Sequence, residues 1–205
     1  VLFVVPSATA AETIQDSESS SHAADSALYA LVDTYAYDRF KVVQFNLAAL
    51  SHYSYLLRSS NECLVVDPGR DVFTYLDYAA KEGLTIKGVL LTHSHADFVA
   101  GHMELAKVAG CPIYASAAGG QEFPHESLKE GTTVPVGDVM VKTMETPGHT
   151  PDGMTVGVLN DPGAPTPTVL FTGDTLFVGS VGRPDLMGGT VSAAASGCRT
   201  PDTWK

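Results

Sequence analysis

The apolar residues of this chain fall in short runs separated by turn residues, a pattern typical of many strands with few helices. The continuous apolar stretch at 63–66 and the mainly apolar stretches at 86–92 and 169–172 predict buried strands. Further stretches are apolar or alternating and short enough to form strands as well. They lie at residues 42–47, 53–58, 112–116, 134–136, 139–146 and 154–159.

Two segments between these strands have the periodicity of helices. Residues 71–83 place their apolar side chains on one helical face, with Asp71 at the position of an N-cap and Gly83 at the end. Residues 98–108 form the second predicted helix, which Gly110 ends. Because the helices occur singly between strands, the pattern predicts an α+β domain in which packed sheets carry helices on their outer faces.

Length and composition narrow the classes of function. The 205 residues suit one domain, and 44% of them are apolar against 17% charged, as in a folded protein. The formal net charge of −11 disfavours phosphate backbones and anionic lipid, so we expect neither nucleic acid nor a membrane as a partner. Three scattered cysteines are too few for a disulfide framework.

The two ends of the chain differ from its middle. Residues 1–10 look like the end of an apolar signal segment with a cleavage site at Ala8-Thr9-Ala10, and a short buried strand is the alternative. Residues 11–40 begin with an acidic, serine-rich stretch and are expected to form a flexible linker. The folded domain is expected at 41–205, and its abrupt end predicts a truncation at the C-terminus.

The candidate chemistry begins in the run Thr92-His93-Ser94-His95-Ala96-Asp97, directly after an apolar strand. Residues two apart in extended backbone point the same way, so His93 and His95 can both face a cavity at the strand end. Imidazole and carboxylate are ligands for divalent zinc, iron or manganese. Each residue has a structural alternative, since Asp97 is a good N-cap for the next helix and a single histidine is more often structural.

Two segments further along the chain supply the other candidate metal ligands. His149 stands in a Pro-Gly turn after one apolar strand, and Asp174 follows Thr-Gly after another. Each segment alone is weak, because Pro-Gly and Gly-Asp are common turn sequences. Three strand ends that deliver His, His and Asp in chain order make a metal site the better explanation.

Together these motifs resemble those of the metallo-β-lactamase superfamily. The resemblance covers about residues 41–187 and rests on the THxHxD, PGHT and TGD segments just described. It implies a four-layer αβ/βα sandwich with the metal at the edge where the two sheets meet. Asp67 matches the family's first-strand aspartate, which usually supports the site.

One departure from the family pattern favours a single metal. The dinuclear zinc hydrolases of this superfamily have a histidine directly after the aspartate of the first motif, where this chain has Phe98. A phenyl ring cannot ligate a metal, so the second metal position loses a ligand. No histidine follows His149, which is also a departure, but a C-terminal truncation would account for it.

The runs at 95–102 and 179–186 are similar to the persulfide dioxygenase branch, members of which can be fused to rhodanese domains. That branch binds one Fe(II) and oxidises glutathione persulfide, or a related small persulfide, to sulfite with O2. The implied iron ligands, which are also the implied catalytic residues, are His93, His149 and Asp174. Such a set leaves coordination positions open for O2 and substrate. His95 and Asp97 would orient the ligands or hydrogen-bond to metal-bound water.

Four side chains are candidates for the substrate pocket. Arg183 is the candidate anchor for a glutathione carboxylate, with a surface ion pair to Asp185 as the alternative. Tyr53 and Tyr55 are candidates for the pocket lining, although tyrosines two apart on a strand are more often packing residues. His125, in a long loop, is a candidate for the pocket rim.

The sequence therefore favours an iron-dependent persulfide dioxygenase that takes a small persulfide, glutathione and O2, with a homodimer as a further expectation. The alternatives are a zinc-dependent thioester or lactone hydrolase of the glyoxalase II type, working through a metal-activated hydroxide, and an inactive truncated metal-binding domain. A glutathione-borne substrate indicates the cytoplasm or mitochondria, whereas the N-terminus indicates export. A periplasmic enzyme would satisfy both.

Overall fold

The computed structural model describes residues 2–4, 12–13, 30–47 and 50–185, which build two packed sheets, a small hairpin and two helices. The strands are β1 (Leu2–Val4), β2 (Glu12–Thr13), β3 (Ala30–Ala36), β4 (Lys41–Leu47), β5 (His52–Ser59), β6 (Glu62–Val66), β7 (Thr85–Leu90), β8 (Ile113–Ser116), β9 (Glu126–Leu128), β10 (Thr133–Val136), β11 (Val139–Glu145), β12 (Met154–Leu159), β13 (Val169–Phe171), β14 (Leu176–Phe177) and β15 (Ser180–Val181). The helices are α1 (Phe73–Lys81) and α2 (His102–Ala109).

The larger sheet has eight strands in chain order, from β2 to β9. Neighbours are antiparallel as far as β6 and parallel from β6 to β9. A parallel pair needs a crossover connection, which α1 provides between β6 and β7 and α2 provides between β7 and β8. Because β6 and β7 run in the same direction, Asp67 and Thr92 emerge at the same edge of the sheet.

The smaller sheet has five antiparallel strands in the order β1-β13-β12-β11-β10. The β14–β15 hairpin follows β13 directly. The strands β11 and β13 lead into the segments that carry His149 and Asp174, so this sheet supplies the second half of the candidate site.

Side chains alternate across the larger sheet and so create two cores. Leu64 packs between the two sheets, whereas its neighbour Val65 packs beneath the helices. The inter-sheet core includes Phe171 of the smaller sheet, and the helix core includes Tyr75 of α1 and Leu105 of α2. The predicted α+β sandwich is confirmed, with three of its four expected layers present among the described residues.

The prediction of a flexible linker at 11–40 is wrong for residues 30–36, which form β3. This strand pairs with β4 from Ala30 opposite Asn46 to Ala36 opposite Lys41, and β2 pairs with β3 in turn. The acidic, serine-rich stretch dominated the composition of this region, whereas a strand near a sheet edge needs few buried side chains to be held by its backbone hydrogen bonds. Phe40 is also buried in the inter-sheet core, so the ordered domain begins before residue 41.

In the N-terminal segment, Leu2–Val4 forms a strand that pairs with β13. Export remains a prediction. The predicted C-terminal truncation also remains a prediction, since residues 186–205 lie outside the described residues. Neither described helix is long and apolar enough to cross a membrane.

The second helix begins at His102, four residues later than predicted. The Gly101 backbone N–H donates to the Pro68 carbonyl at 3.0 Å, and a Cβ at Gly101 would collide with the backbone of Gly69. This contact between segments holds residues 96–101 as a loop. The structural alternative for Asp97, an N-cap of this helix, is therefore wrong, because the helix starts five residues further on.

Candidate metal centre

Three of the predicted ligands meet at one edge of the sandwich. Donor atoms of His93, His149 and Asp174 all lie within 4.8 Å of one another. His149 Nε2 is 3.5 Å from Asp174 Oδ2. His93 is only 5% exposed, whereas the other two are partly exposed, so the cluster is closed on one side and open to solvent on the other.

This donor set fits a single divalent ion. Two imidazole nitrogens and one carboxylate suit zinc or iron, and donors that share an ion at about 2.1 Å lie at most about 4.2 Å apart. A small shift of the three side chains would therefore bring all three donor atoms within binding distance of one ion. Burial of the ring and the neighbouring His95 lower the pKa of His93, which favours the neutral form that a metal requires.

A buried carboxylate supports His93 from behind. Asp67 is 4% exposed and accepts hydrogen bonds from the Thr92 backbone N–H at 2.8 Å and from the Thr92 hydroxyl at 2.7 Å. The Thr92 hydroxyl oxygen also lies 3.0 Å from His93 Nδ1. Asp67 therefore supports His93 indirectly, through hydrogen bonds to Thr92. The sequence indicated Thr92 only as part of the motif.

The same carboxylate faces His95. His95 Nε2 lies 3.1 Å from Asp67 Oδ1, and both side chains are buried. Burial opposes the charged form of His95, but the Asp67 carboxylate outweighs it and raises the pKa of His95 above its usual value. Burial likewise opposes ionisation of Asp67, but the charge of His95 outweighs it and holds the pKa of Asp67 well below its usual range. His95 is thus directed toward Asp67, while Asp97 is exposed and outside the three-residue cluster.

Aromatic rings fill the space beside His95. The rings of Phe98 and His95 have centroids 4.5 Å apart, and the ring of His52 lies 3.8 Å from that of Phe98. Burial lowers the pKa of His52 to about 4, so its ring is neutral near pH 7. The sequence reasoning missed His52, which stands at the start of β5 with no motif around it.

His149 is positioned by a segment more than thirty residues away. Its Nδ1 lies 3.3 Å from the backbone carbonyl oxygen of Arg183. A Cβ at Gly182 would collide with the Asp174 carbonyl and would lie 3.2 Å from His149 Cβ, so only glycine permits this approach. The hairpin after Asp174 thereby returns the chain to the metal cluster.

Asp152 is a second residue of the site that the sequence reasoning missed, and its hydrogen bonds connect neighbouring loops. Asp152 is 4% exposed and accepts a hydrogen bond from Ser94 Oγ at 2.6 Å and a longer one from Gln121 Nε2 at 3.4 Å. Ser94 lies between the two histidines of the first motif, so Asp152 joins that motif to the turn after His149. An acidic residue three positions past a ligand histidine was the available signal.

The predicted substrate residues do not gather at the cluster. The Arg183 guanidinium forms a two-point ion pair with Asp185, at 3.0 and 3.3 Å, which is the alternative weighed for it. Tyr55 is 2% exposed and packs against Phe171, so its expected place in the pocket lining is wrong. Tyr53 is 38% exposed and remains a prediction.

His125 lines a different cavity from the one expected. This cavity, of about 540 Å³, lies between α2 and the loop before β9 and includes Met103, Cys111 and Phe123. His125 Nδ1 donates to the Phe123 carbonyl at 2.9 Å, and its Nε2 lies 3.2 Å from Ser127 Oγ. Its ring therefore stabilises this loop and does not lie at the rim of the metal cluster.

The comparisons with known proteins agree with this fold. Residues 47–204 match the profile of the metallo-beta-lactamase superfamily, so the chain belongs to that superfamily. It is 39% identical over 120 residues to a hydroxyacylglutathione hydrolase of Hahella chejuensis, a match that covers 58% of this chain and 44% of that protein. It is 31% identical over 156 residues to YqgX of Bacillus subtilis, a probable metallo-hydrolase, with 66% of this chain and 71% of that protein covered.

Two solved structures share this fold. A metallo-beta-lactamase from Staphylococcus aureus has a TM-score of 0.69 at 34% identity, covering 78% of this chain and 49% of that one. ETHE1 from Myxococcus xanthus has a TM-score of 0.65 at 27% identity, covering 75% of this chain and 66% of that one. The chain thus spans less than half of the Hahella hydrolase and of the Staphylococcus protein.

Proposed function

We propose that this protein is a mononuclear non-haem iron dioxygenase that oxidises a small persulfide, such as glutathione persulfide, to sulfite. The observation that carries this proposal is the three-residue cluster of His93, His149 and Asp174. Among the described residues no fourth histidine or acid joins it, because His95 faces Asp67 and Asp97 is exposed outside it. The place where a second metal would need a histidine holds Phe98 instead.

The donor set suits the chemistry. Iron held by two histidines and one carboxylate would keep coordination positions open for a sulfur and O2 and would supply the one-electron steps that O2 requires, whereas zinc has no accessible redox change. The partly exposed side, formed by His149 and Asp174, is where substrate can approach. The buried side, formed by Thr92 and His93, excludes water from behind.

The reaction balances with these reactants alone. One persulfide, one O2 and one water give one thiol and one sulfurous acid, which is sulfite in its protonated form. The bond between the two sulfurs breaks, and the outer sulfur gives four electrons to O2. Phe98 and the neutral ring of His52 pack beside His95, where neither adds a charge.

The structural similarity to ETHE1 supports the dioxygenase. The names of the curated relatives support a second candidate, a zinc-dependent hydrolase of a glutathione thioester. Both candidates would use these three residues as metal ligands, but the hydrolase would also need a second metal position, and the two differ in the metal and in the co-substrate. For either one, a glutathione carboxylate could bind Arg183 only if the guanidinium left Asp185.

Metal content measured together with oxygen uptake separates the candidates. The protein is loaded with iron under anaerobic conditions, its metals are quantified, and glutathione persulfide is added in an oxygen electrode. About one iron per chain, O2 consumption and sulfite release, all lost in His149→Ala but retained in His125→Ala, are the expected results. His125 serves as the control because it lies in the separate cavity.

The opposite results would overturn the proposal. Two zinc ions per chain with no O2 uptake and with cleavage of a glutathione thioester would establish the hydrolase. An iron-loaded protein that consumes no O2 and cleaves no thioester would leave a metal-binding domain without either activity.

A further inference from the structure

The hydrogen bonds around His93 allow its ring only one arrangement of protons. The Thr92 hydroxyl donates to Asp67 Oδ2 at 2.7 Å, because an ionised carboxylate can only accept. That hydroxyl has a single proton, so its oxygen can only accept from His93 Nδ1, 3.0 Å away. The proton of the neutral ring therefore sits on Nδ1, and Nε2 keeps its lone pair.

His149 reaches the same state by a different route. Its Nδ1 lies 3.3 Å from the Arg183 carbonyl oxygen, which has no proton to donate. Nδ1 therefore donates to this carbonyl, while Nε2 faces the cluster, 3.5 Å from Asp174 Oδ2. Because the carboxylate of Asp174 also only accepts, Nε2 is free to bind a metal once the ion takes the place of a proton there. Two unrelated segments thus select the same tautomer at two histidines of one cluster.

We propose that Thr92 and the backbone of the Gly182–Arg183 turn are positioning residues that hold both histidines in the Nδ1-protonated tautomer, with both Nε2 atoms available to the metal. The inference rests on the metal site of the proposed function. It does not depend on whether the metal is iron or zinc, nor on which reaction follows.

Two glycines make this arrangement possible. A Cβ at Gly173 would lie 2.5 Å from Thr92 Oγ1 and 3.2 Å from His93 Nδ1, so it would displace the pair that sets the His93 tautomer. A Cβ at Gly182 would displace the turn that sets the His149 tautomer. Gly173 also has a φ of +49°, a left-handed conformation in which a larger residue would be strained.

The arrangement gives the Gly182–Asp185 segment a role other than substrate anchoring. The Arg183 backbone carbonyl acts on His149, while its guanidinium is held by Asp185. Substitution of the Arg183 side chain leaves the carbonyl in place, whereas a side chain at Gly182 moves it. The two positions therefore test separately whether the backbone or the side chain matters.

The tautomers can be read directly by long-range proton–nitrogen NMR of the imidazole rings. The experiment uses the zinc-loaded protein, in which the spectrum distinguishes the ring nitrogen that carries a proton from the ring nitrogen that binds zinc. We expect Nδ1 protonation at both His93 and His149. Nε2 protonation at either ring, or a mixture of the two forms, would overturn the proposal whatever metal the protein binds.

Variants connect the tautomer to metal binding. Thr92→Val removes the hydroxyl at nearly constant volume and should weaken zinc binding by about 10–100-fold, whereas Thr92→Ser should bind like the wild type. Thr143→Val is the matched control, because Thr143 is a fully buried threonine whose hydroxyl donates to a backbone carbonyl of Lys129. It should lose stability and keep its zinc affinity. Equal losses in Thr92→Val and Thr143→Val would contradict the proposal.

The second histidine has its own pair of variants. Gly182→Ala should weaken zinc binding and shift the His149 nitrogen signals, while Arg183→Ala should preserve both. Loss of zinc affinity in Arg183→Ala equal to that in Gly182→Ala would overturn the role of the carbonyl. A protein with the expected tautomers and zinc affinities but no O2 uptake would leave this inference standing while the dioxygenase proposal fails.

Discussion

Replacement of Asp67 by asparagine tests the support behind the metal cluster. The side chain keeps its size, and asparagine tolerates the φ of +50° observed at this position. What changes is that one acceptor oxygen becomes an amide donor. The amide would then donate to the Thr92 hydroxyl, which would turn its own proton toward His93 Nδ1 and favour the wrong tautomer.

The size of the effect follows from two buried hydrogen bonds. Bonds to a charged acceptor contribute about 1.5–3 kcal/mol each, and neutral bonds contribute about 0.5–1.5 kcal/mol each. Asp67 accepts two bonds from Thr92, so Asp67→Asn should reduce the free energy of unfolding of the metal-free protein by about 2–3 kcal/mol. Zinc affinity should fall by about 10–100-fold.

Denaturant unfolding at neutral pH measures the first quantity, and zinc titration against a competing chelator measures the second. Asp71→Asn is the control, because Asp71 also accepts two hydrogen bonds near the start of α1 but at 3.3 Å and in a less buried position. It should change stability by less than about 1 kcal/mol. A loss below about 0.5 kcal/mol in Asp67→Asn, with zinc affinity unchanged, would refute the reasoning.

The difference should also depend on pH. The native pKa of Asp67 is lowered, so the stability it contributes is present above the pKa of the unfolded chain, about 3.9, and is lost as the pH falls toward the native value. Asparagine does not titrate. Asp67 also raises the pKa of His95, and that contribution is fully present below the unfolded His pKa of about 6.5 and is lost as the pH rises above it. The stability gap between wild type and Asp67→Asn should therefore be largest between about pH 4 and pH 6.5 and shrink on either side.

Three further outcomes are expected. Phe98→His should raise the zinc content above one ion per chain, measured by metal analysis, because it places a second imidazole beside His95; an unchanged ratio would show that the phenyl ring does not limit the number of metals. Tyr55→Ala should cost about 3–5 kcal/mol in denaturant unfolding, because the ring is buried against Phe171, whereas Tyr53→Ala should cost under about 1 kcal/mol. A chelator should lower the melting temperature and added metal restore it, since an ion bound only by the folded state stabilises it, and His149→Ala should abolish that response.

The sequence by itself determined the strands and the three candidate ligands. Residues 63–66 of β6 and 169–171 of β13 are continuous apolar runs. His93, His149 and Asp174 come three or four residues after the ends of β7, β11 and β13. Strand ends in this kind of sandwich meet at an edge, so local sequence was enough to predict that these side chains converge. The pairing of β3 was missed because its neighbours along the chain are acidic and polar, and only its partner β4 shows that it is a strand.

Tertiary structure alone decided how the ligands are held. Thr92 meets Gly173, and His149 meets the carbonyl of Arg183, across gaps in sequence that no local pattern reveals. The start of α2 was likewise set by contacts of Gly101 with Pro68 and Gly69 rather than by the propensity of Asp97 to cap a helix. Residue types at strand ends are a local property of the sequence, whereas hydrogen-bond direction and close backbone approach depend on segments that only the fold brings together.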